Sequence, residues 1–228
     1  QGIGESFLAE QIADWENRVR ATGLGLAYLP APGLVKLRLT SYKGKEEEIL
    51  IDNLFTELKN LLPEAVFGEG DQTLESVLGN LLQDKNLSIG TVESCTAGKL
   101  AQTIASVPGA SAYYQGALLT YSNELKNRIA EVSNEALSKF GAVSEQVAIE
   151  MAANGKRILG VDYCLSTTGV AGPTGGTPEK PVGLVWIGLS GPTGTIAKSF
   201  RFGDNRQRNI EMTVLSAMNW LRYQLVCD

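Results

Sequence analysis

Apolar residues recur at three- and four-residue steps over Glu5–Ala21, where Phe7, Leu8, Ile12, Trp15 and Val19 form one stripe. That spacing predicts an amphipathic helix. Gly25-Leu26-Ala27-Tyr28-Leu29-Pro30 reads as a short strand closed by a Pro/Gly turn. The partial alternation of Val35, Leu37 and Leu39 predicts a second strand over Leu34–Tyr42. Glu46–Leu62 reads as a second amphipathic helix and Val66-Phe67 as a last short strand. The order α-β-β-α-β predicts a small α+β unit.

Gly68-Glu69-Gly70-Asp71 interrupts the periodic segments and marks a boundary, giving domains at 1–70 and 71–228. The pattern then changes. Helices are expected over Thr73–Lys85, Ala97–Val107, Asn123–Val132, Asn134–Phe140, Ser144–Leu159 and about Asn205–Val226. Strands are expected over Ser88–Glu93, Tyr113–Tyr121 and Tyr163–Thr168, then as a hairpin, Leu184–Leu189 with Thr195–Phe202, around Gly191-Pro192-Thr193-Gly194. Strands alternating with helices and ending in a hairpin predict a three-layer α/β domain with a mixed sheet, preceded by the small α+β domain.

Composition narrows the chemistry. The 228 residues contain no histidine. Serine–histidine–aspartate triads, cysteine–histidine dyads and histidine zinc sites are excluded, and protons must move through lysine, tyrosine, carboxylate, thiolate or water. Cys95, Cys164 and Cys227 are odd in number, far apart and without a CxxC. This is neither a disulfide framework nor a zinc ribbon, and it fits a reducing, cytoplasmic compartment. No 18-residue apolar run predicts a membrane span. The start carries no basic region followed by an apolar one, so no signal peptide is expected. A first residue other than methionine is expected of a piece of a longer protein. The net charge is −5, and residues 1–70 hold seven Lys and Arg against eleven Asp and Glu. A nucleic-acid surface would need a basic face, so no nucleic-acid partner is expected there.

Three segments are too polar and glycine-rich to read only as connections. Glu93-Ser94-Cys95-Thr96-Ala97-Gly98 lies where a strand hands over to a helix. Free amides at a helix start would hold the oxyanion formed by a serine nucleophile. The same spacing equally fits an N-cap at Ser94 or Thr96. Cys95 competes as a nucleophile, although alternation along a strand turns Ser94 and Cys95 different ways. Thr120-Tyr121-Ser122-Asn123-Glu124-Leu125-Lys126 occupies the next strand-to-helix junction. If the two strands are parallel, Ser94 and Lys126 converge at the sheet edge where open α/β sheets place ligands. A neutral lysine can serve as the base for serine; a solvated surface lysine is the plain alternative. The third segment, residues 165–183, is a long Gly/Thr/Pro loop whose amides can form an anion nest. It matches neither a Walker A loop nor GxGxxG, and it also fits a structural Ω-loop. Arg206 opens the last helix and could add a guanidinium to a phosphate site, or simply face solvent.

ESCTAG, TYSNELK, STTGVAGPTGGTPEKPVG and GDNR, in that order over roughly residues 73–226, resemble the C-terminal domain of the CinA family, named for competence/damage-inducible protein. The resemblance implies a nicotinamide-nucleotide amidohydrolase of pyridine nucleotide salvage, converting nicotinamide mononucleotide to nicotinate mononucleotide and ammonia. It implies a serine–lysine mechanism, with Ser94 as nucleophile, Lys126 as general base and Tyr121 as orienter or proton relay. Thr168 and Arg206 become ligand contacts, with Thr96, Gly98, Gly169 and Gly172 completing the substrate-binding set. No metal or cofactor is implied, and a homodimer is. The motif is not that of penicillin-binding proteins, because residue 97 is alanine where SxxK needs lysine. Residues 1–70 resemble the KH-type middle domain of longer CinA proteins, without a GxxG loop. Those proteins carry a molybdopterin-binding-like domain with pyrophosphatase activity ahead of this point. Two other readings stay open: a non-catalytic pyridine-nucleotide-binding regulatory module, and a nucleic-acid-binding competence protein, which the acidic balance opposes.

Overall fold

Trp15 anchors the first unit. Its indole Nε1 donates to the Leu54 carbonyl at 2.8 Å, joining α2 (Ala13–Ala21) to α3 (Glu48–Leu61). The computed structural model describes residues 1–227 and divides into Gln1–Glu69 and a second unit starting at Gly70. The expected first helix is two helices, α1 (Glu5–Gln11) and α2, broken at Ile12, whose backbone leaves the helical region. Ile12 is still buried with Leu8, Trp15 and Val19, so the apolar stripe survives the break. Strands β1 (Gly25–Ala31) and β2 (Leu34–Thr40) form an antiparallel hairpin with Ala31 opposite Leu34. The expected third strand at Val66-Phe67 is absent. The Val66 amide donates to Leu62 O at 3.0 Å in a turn after α3, while its side chain packs on the same core. A turn that takes up its own amide leaves nothing for a sheet edge.

The second unit runs α4 (Leu74–Asp84), β3 (Ile89–Glu93), α5 (Lys99–Ala105), β4 (Tyr114–Leu119), α6 (Asn123–Arg128), α7 (Asn134–Phe140), α8 (Glu145–Leu159), β5 (Tyr163–Gly169), β6 (Leu184–Gly191), β7 (Gly194–Arg201) and α9 (Arg206–Cys227). Side-chain caps start many of these helices. Thr73 and Ser76 form a reciprocal capping box on α4, and Ser122, Ser133 and Ser144 accept from the amides of Leu125, Ala136 and Val147. The sheet order is β4-β3-β5-β6-β7, with β4, β3 and β5 parallel and β6 and β7 antiparallel additions. Helix α8 covers one face, while α5 and α9 lie on the other with α4 against α9. The result is a three-layer α/β unit with a mixed sheet. Among the described residues no helix is long and apolar enough to cross a membrane.

Helix α8 packs close against the sheet, and Gly188 of β6 permits it. A Cβ on Gly188 of β6 would lie 2.4 Å from the Ala148 carbonyl and 2.5 Å from Ser166 Oγ. Ser166 itself donates to that carbonyl at 2.6 Å. Because the obstruction is helix backbone, Gly188→Ala should push α8 outward and cost about 1–3 kcal/mol. Urea unfolding monitored by circular dichroism checks this; an unchanged midpoint would contradict the close fit.

Candidate active site

Three parallel strands end at one edge. Glu93 is opposite Leu119 of β4 and Thr167 of β5. Pairing continues one step, with Ser94 N–H donating to Thr167 O at 3.0 Å and Thr120 N–H donating to Glu93 O at 2.8 Å. This fixes where Ser94 and Thr120 leave the sheet. Beyond Ser94 the chain reverses through left-handed Ala97 (φ 51°) and Gly98 (φ 91°). That is why α5 starts at Lys99 and not at Ala97 as expected. Beyond Thr120, the Ser122 cap starts α6 and carries Lys126 back toward the edge.

Lys126 is 2 % exposed and its Nζ lies 2.8 Å from Ser94 Oγ. It donates to Thr120 O at 3.0 Å and approaches Tyr121 O at 3.5 Å. Among the described residues no ion pair includes it. Burial holds its pKa below the ordinary lysine value of 10.5, opposed by the neighbouring Cys95. A neutral amine has two N–H donors and one lone pair. Nζ is ringed by three oxygens, two carbonyls and the Ser94 hydroxyl, and in the neutral form its lone pair is left for the Ser94 O–H. Ser94 is 8 % exposed, so it stands at the rim of the buried region. Cys95 is buried, and burial pushes its thiol up to about 12, which leaves no thiolate at neutral pH.

The amides of this turn are largely engaged, contrary to the expectation of an open helix start. Ala97 N–H donates to Ser94 O at 3.1 Å, and Gly98 N–H donates to the Glu93 carboxylate at 3.1 Å. The amides of Cys95 and Thr96 are the two that no carbonyl or carboxylate claims among the described residues. Glu93 occupies the start of α5 with its own side chain, accepting also from Leu100 and Ala101 N–H and from the Thr96 hydroxyl. The sequence reading gave Glu93 no role. Its signal was a carboxylate ending a strand in which all five residues are buried.

The remaining residues fall into a second group. Arg206 donates through one nitrogen to Gly172 O at 3.0 Å and through the other to the Tyr121 hydroxyl at 3.2 Å. Tyr121 is 57 % exposed, so its main-chain oxygen faces Lys126 while its ring reaches Arg206. Among the described residues Arg206 has no carboxylate partner. The glycine loop is closed at its neck by Val170 N–H to Leu184 O and Gly183 N–H to Val170 O, both 2.8 Å. Asn209 of α9 ties it down, donating to Ala171 O at 3.0 Å and Gly203 O at 2.9 Å. Gly169 lies so close to β6 that a Cβ would meet Leu184 O at 2.8 Å. Thr168 is buried and donates to Ala142 O at 2.7 Å, and Thr96 is buried against Glu93 and Thr167. Both threonine hydroxyls therefore have partners inside the protein. No three cysteine, aspartate or glutamate side chains gather as a metal site among the described residues.

Residues 71–225 match the family model of the CinA C-terminal domain, and residues 1–68 match that of the damage-inducible protein CinA KH domain. A CinA-like protein of Cytophaga hutchinsonii is 43 % identical over 227 residues, covering 98 % of this chain and 54 % of the relative. A CinA-like protein of Parasynechococcus marenigrum is 42 % identical over 231 residues, covering 100 % and 54 %. The chain spans about half the length of the curated relatives it matches. Among solved structures, the competence/damage inducible protein CihA from Agrobacterium tumefaciens is 32 % identical with a TM-score of 0.62, covering 68 % of this chain and 97 % of that one. A competence or damage-inducible protein from Enterobacter asburiae is 31 % identical with a TM-score of 0.65, covering 68 % and 99 %. With its motifs in family order on a matching fold, the chain belongs to the CinA family, carrying a CinA KH domain ahead of a CinA C-terminal domain.

Proposed function

We propose that the second unit is an amidohydrolase that converts nicotinamide mononucleotide to nicotinate mononucleotide and ammonia through an acyl-enzyme on Ser94. The observation that carries this reading is a buried amine, free of carboxylate partners, 2.8 Å from a serine oxygen at the carboxyl edge of a parallel sheet. The choice of substrate rests on the family resemblance.

In this reading the lone pair of Lys126 takes the Ser94 proton as Oγ attacks the carboxamide carbon. The carbonyl oxygen becomes an oxyanion, for which the amides of Cys95 and Thr96 are the open donors of the turn. Collapse breaks the C–N bond, and Lys126 returns the proton to the leaving nitrogen, which departs as ammonia. Water then loses a proton to Lys126 and attacks the acyl carbon, and Ser94 recovers its proton as the acid leaves. Arg206 supplies a positive group for the substrate phosphate beside the glycine loop.

The test is ammonia release from nicotinamide mononucleotide by the purified chain without added metal. Stoichiometric nicotinate mononucleotide and ammonia are expected. Thermal stabilisation by the nucleotide with no ammonia at high protein concentration would overturn the enzyme reading in favour of a binding module.

A further inference from the structure

We propose that Glu93 is a positioning residue for Ser94, one whose buried carboxylate holds the turn carrying the nucleophile and thereby decides which amides of that turn remain open. The inference rests on the reading of Ser94 as nucleophile.

Glu93 is fully buried and no cation pairs with it among the described residues. Its two oxygens are met by neutral donors alone. One oxygen accepts from the Thr96 hydroxyl at 2.6 Å, Leu100 N–H at 3.0 Å and Gly98 N–H at 3.1 Å. The other accepts from Ala101 N–H at 2.7 Å, with the Thr91 hydroxyl at 3.4 Å. All but Thr91 lie beyond Ser94 in the chain. The carboxylate therefore joins the last residue of β3 to the first turn of α5 and closes the nucleophile turn into a ring.

That ring contains Ala97 at φ 51°, a left-handed conformation that a residue with a Cβ disfavours. Such a conformation persists only where its surroundings hold it. The hydroxyl protons have a fixed order. Thr96 spends its proton on Glu93, so in the 2.7 Å contact between Thr96 and Thr167 the donor is Thr167. Thr91 in turn contacts the Tyr114 hydroxyl at 3.1 Å. Through these links β5 and β4 are tied to the same carboxylate as β3. Glu93 also consumes the Gly98, Leu100 and Ala101 amides, leaving those of Cys95 and Thr96 without a carbonyl or carboxylate acceptor among the described residues.

Glu93→Gln keeps the shape and reverses one set of contacts, since its NH2 must face either Ala101 N–H or the three donors on the other oxygen. A role in stability alone would lower the melting temperature and leave Ser94 in the folded protein as reactive as before. The experiment measures phosphonylation of Ser94 by a fluorophosphonate, in which Oγ bonds to phosphorus and fluoride leaves with the serine proton. It is followed by intact mass on protein shown to be folded by circular dichroism, alongside kcat and KM for ammonia release. Glu93→Gln should label at least about tenfold more slowly, with kcat falling similarly and KM held within about threefold. Thr167→Val should also slow labelling, and Thr167→Ser, which keeps the hydroxyl, should restore it. This pair decides the matter if Glu93→Gln does not fold. Labelling of Glu93→Gln at the wild-type rate, or equal rates for the two Thr167 variants, overturns the proposal. A wild-type protein that neither labels at Ser94 nor releases ammonia instead removes the nucleophile reading and this inference with it.

Discussion

Ser94→Ala is expected to lower kcat for ammonia release by about a thousandfold or more, with folding intact. The Ser94 side chain has one hydrogen-bond partner, Lys126 Nζ, which keeps the Thr120 carbonyl when the hydroxyl is removed. The Ser94 amide still donates to Thr167 O, so the strand continues to the same point. The melting temperature should therefore move little while the attacking oxygen is gone. The adjacent thiol does not replace it, because Cys95 is buried and its proton is held up to about 12. Mass spectrometry under turnover, with hydroxylamine added to intercept the acyl group, should find nicotinoyl transfer in the wild type and none in the variant. Full ammonia release by Ser94→Ala would remove serine from the mechanism.

Lys126→Met should be equally inactive, and it carries a second signature. Only neutral Lys126 accepts the serine proton. Its pKa is lowered by burial, so the rate should rise with pH through that depressed value and level off above it. A rate that shows no rise with pH anywhere below 10.5 would count against Lys126 as the base. Stability follows the same equilibrium. Between the folded pKa and the ordinary value of 10.5 the unfolded chain holds the extra proton. Stability therefore rises with pH in that window. Lys126→Met lacks this contribution, so the difference between wild-type and variant unfolding free energies should shift in favour of wild type as pH rises. Parallel urea titrations across that range measure it. Lys126→Arg should not rescue activity, since guanidinium stays protonated throughout.

The elements of the second unit were legible because its caps and periodicities agree. Ser144 starts α8 as its position predicts, and Asn134–Phe140 forms the expected helix. The convergence of Ser94 with Lys126 depends on β3 and β4 being parallel, and strand order supplies it. Other features depend on contacts that no local pattern records. The stripe through Ile12 is continuous although the helix is not, because side-chain spacing tolerates a backbone break. Val66 carries strand-like hydrophobicity but spends it on a core beneath a turn. Thr168 and Thr96 look like exposed ligand hydroxyls in a loop motif, yet Ala142 O lies 26 residues away from one and Thr167 71 residues away from the other. Glu93 was hardest to read: a carboxylate at the end of a strand is ordinarily a solvated group, and its four partners beyond Ser94 appear only when the chain doubles back.

The adjacency of β3 and β4 has a further consequence for how such a protein can change. Ser94 and Lys126 both hang from neighbouring strand ends, so their separation is set by one hydrogen-bonded rung and a capped turn. The Arg206, Asn209 and glycine-loop contacts come from a different stretch, after residue 168. In the proposed reading, substitutions in that later stretch can retune which amide is admitted without moving the reacting pair. In that reading reactivity and substrate range would be carried by largely separate pieces of sequence, which meet where Arg206 donates to the Tyr121 hydroxyl.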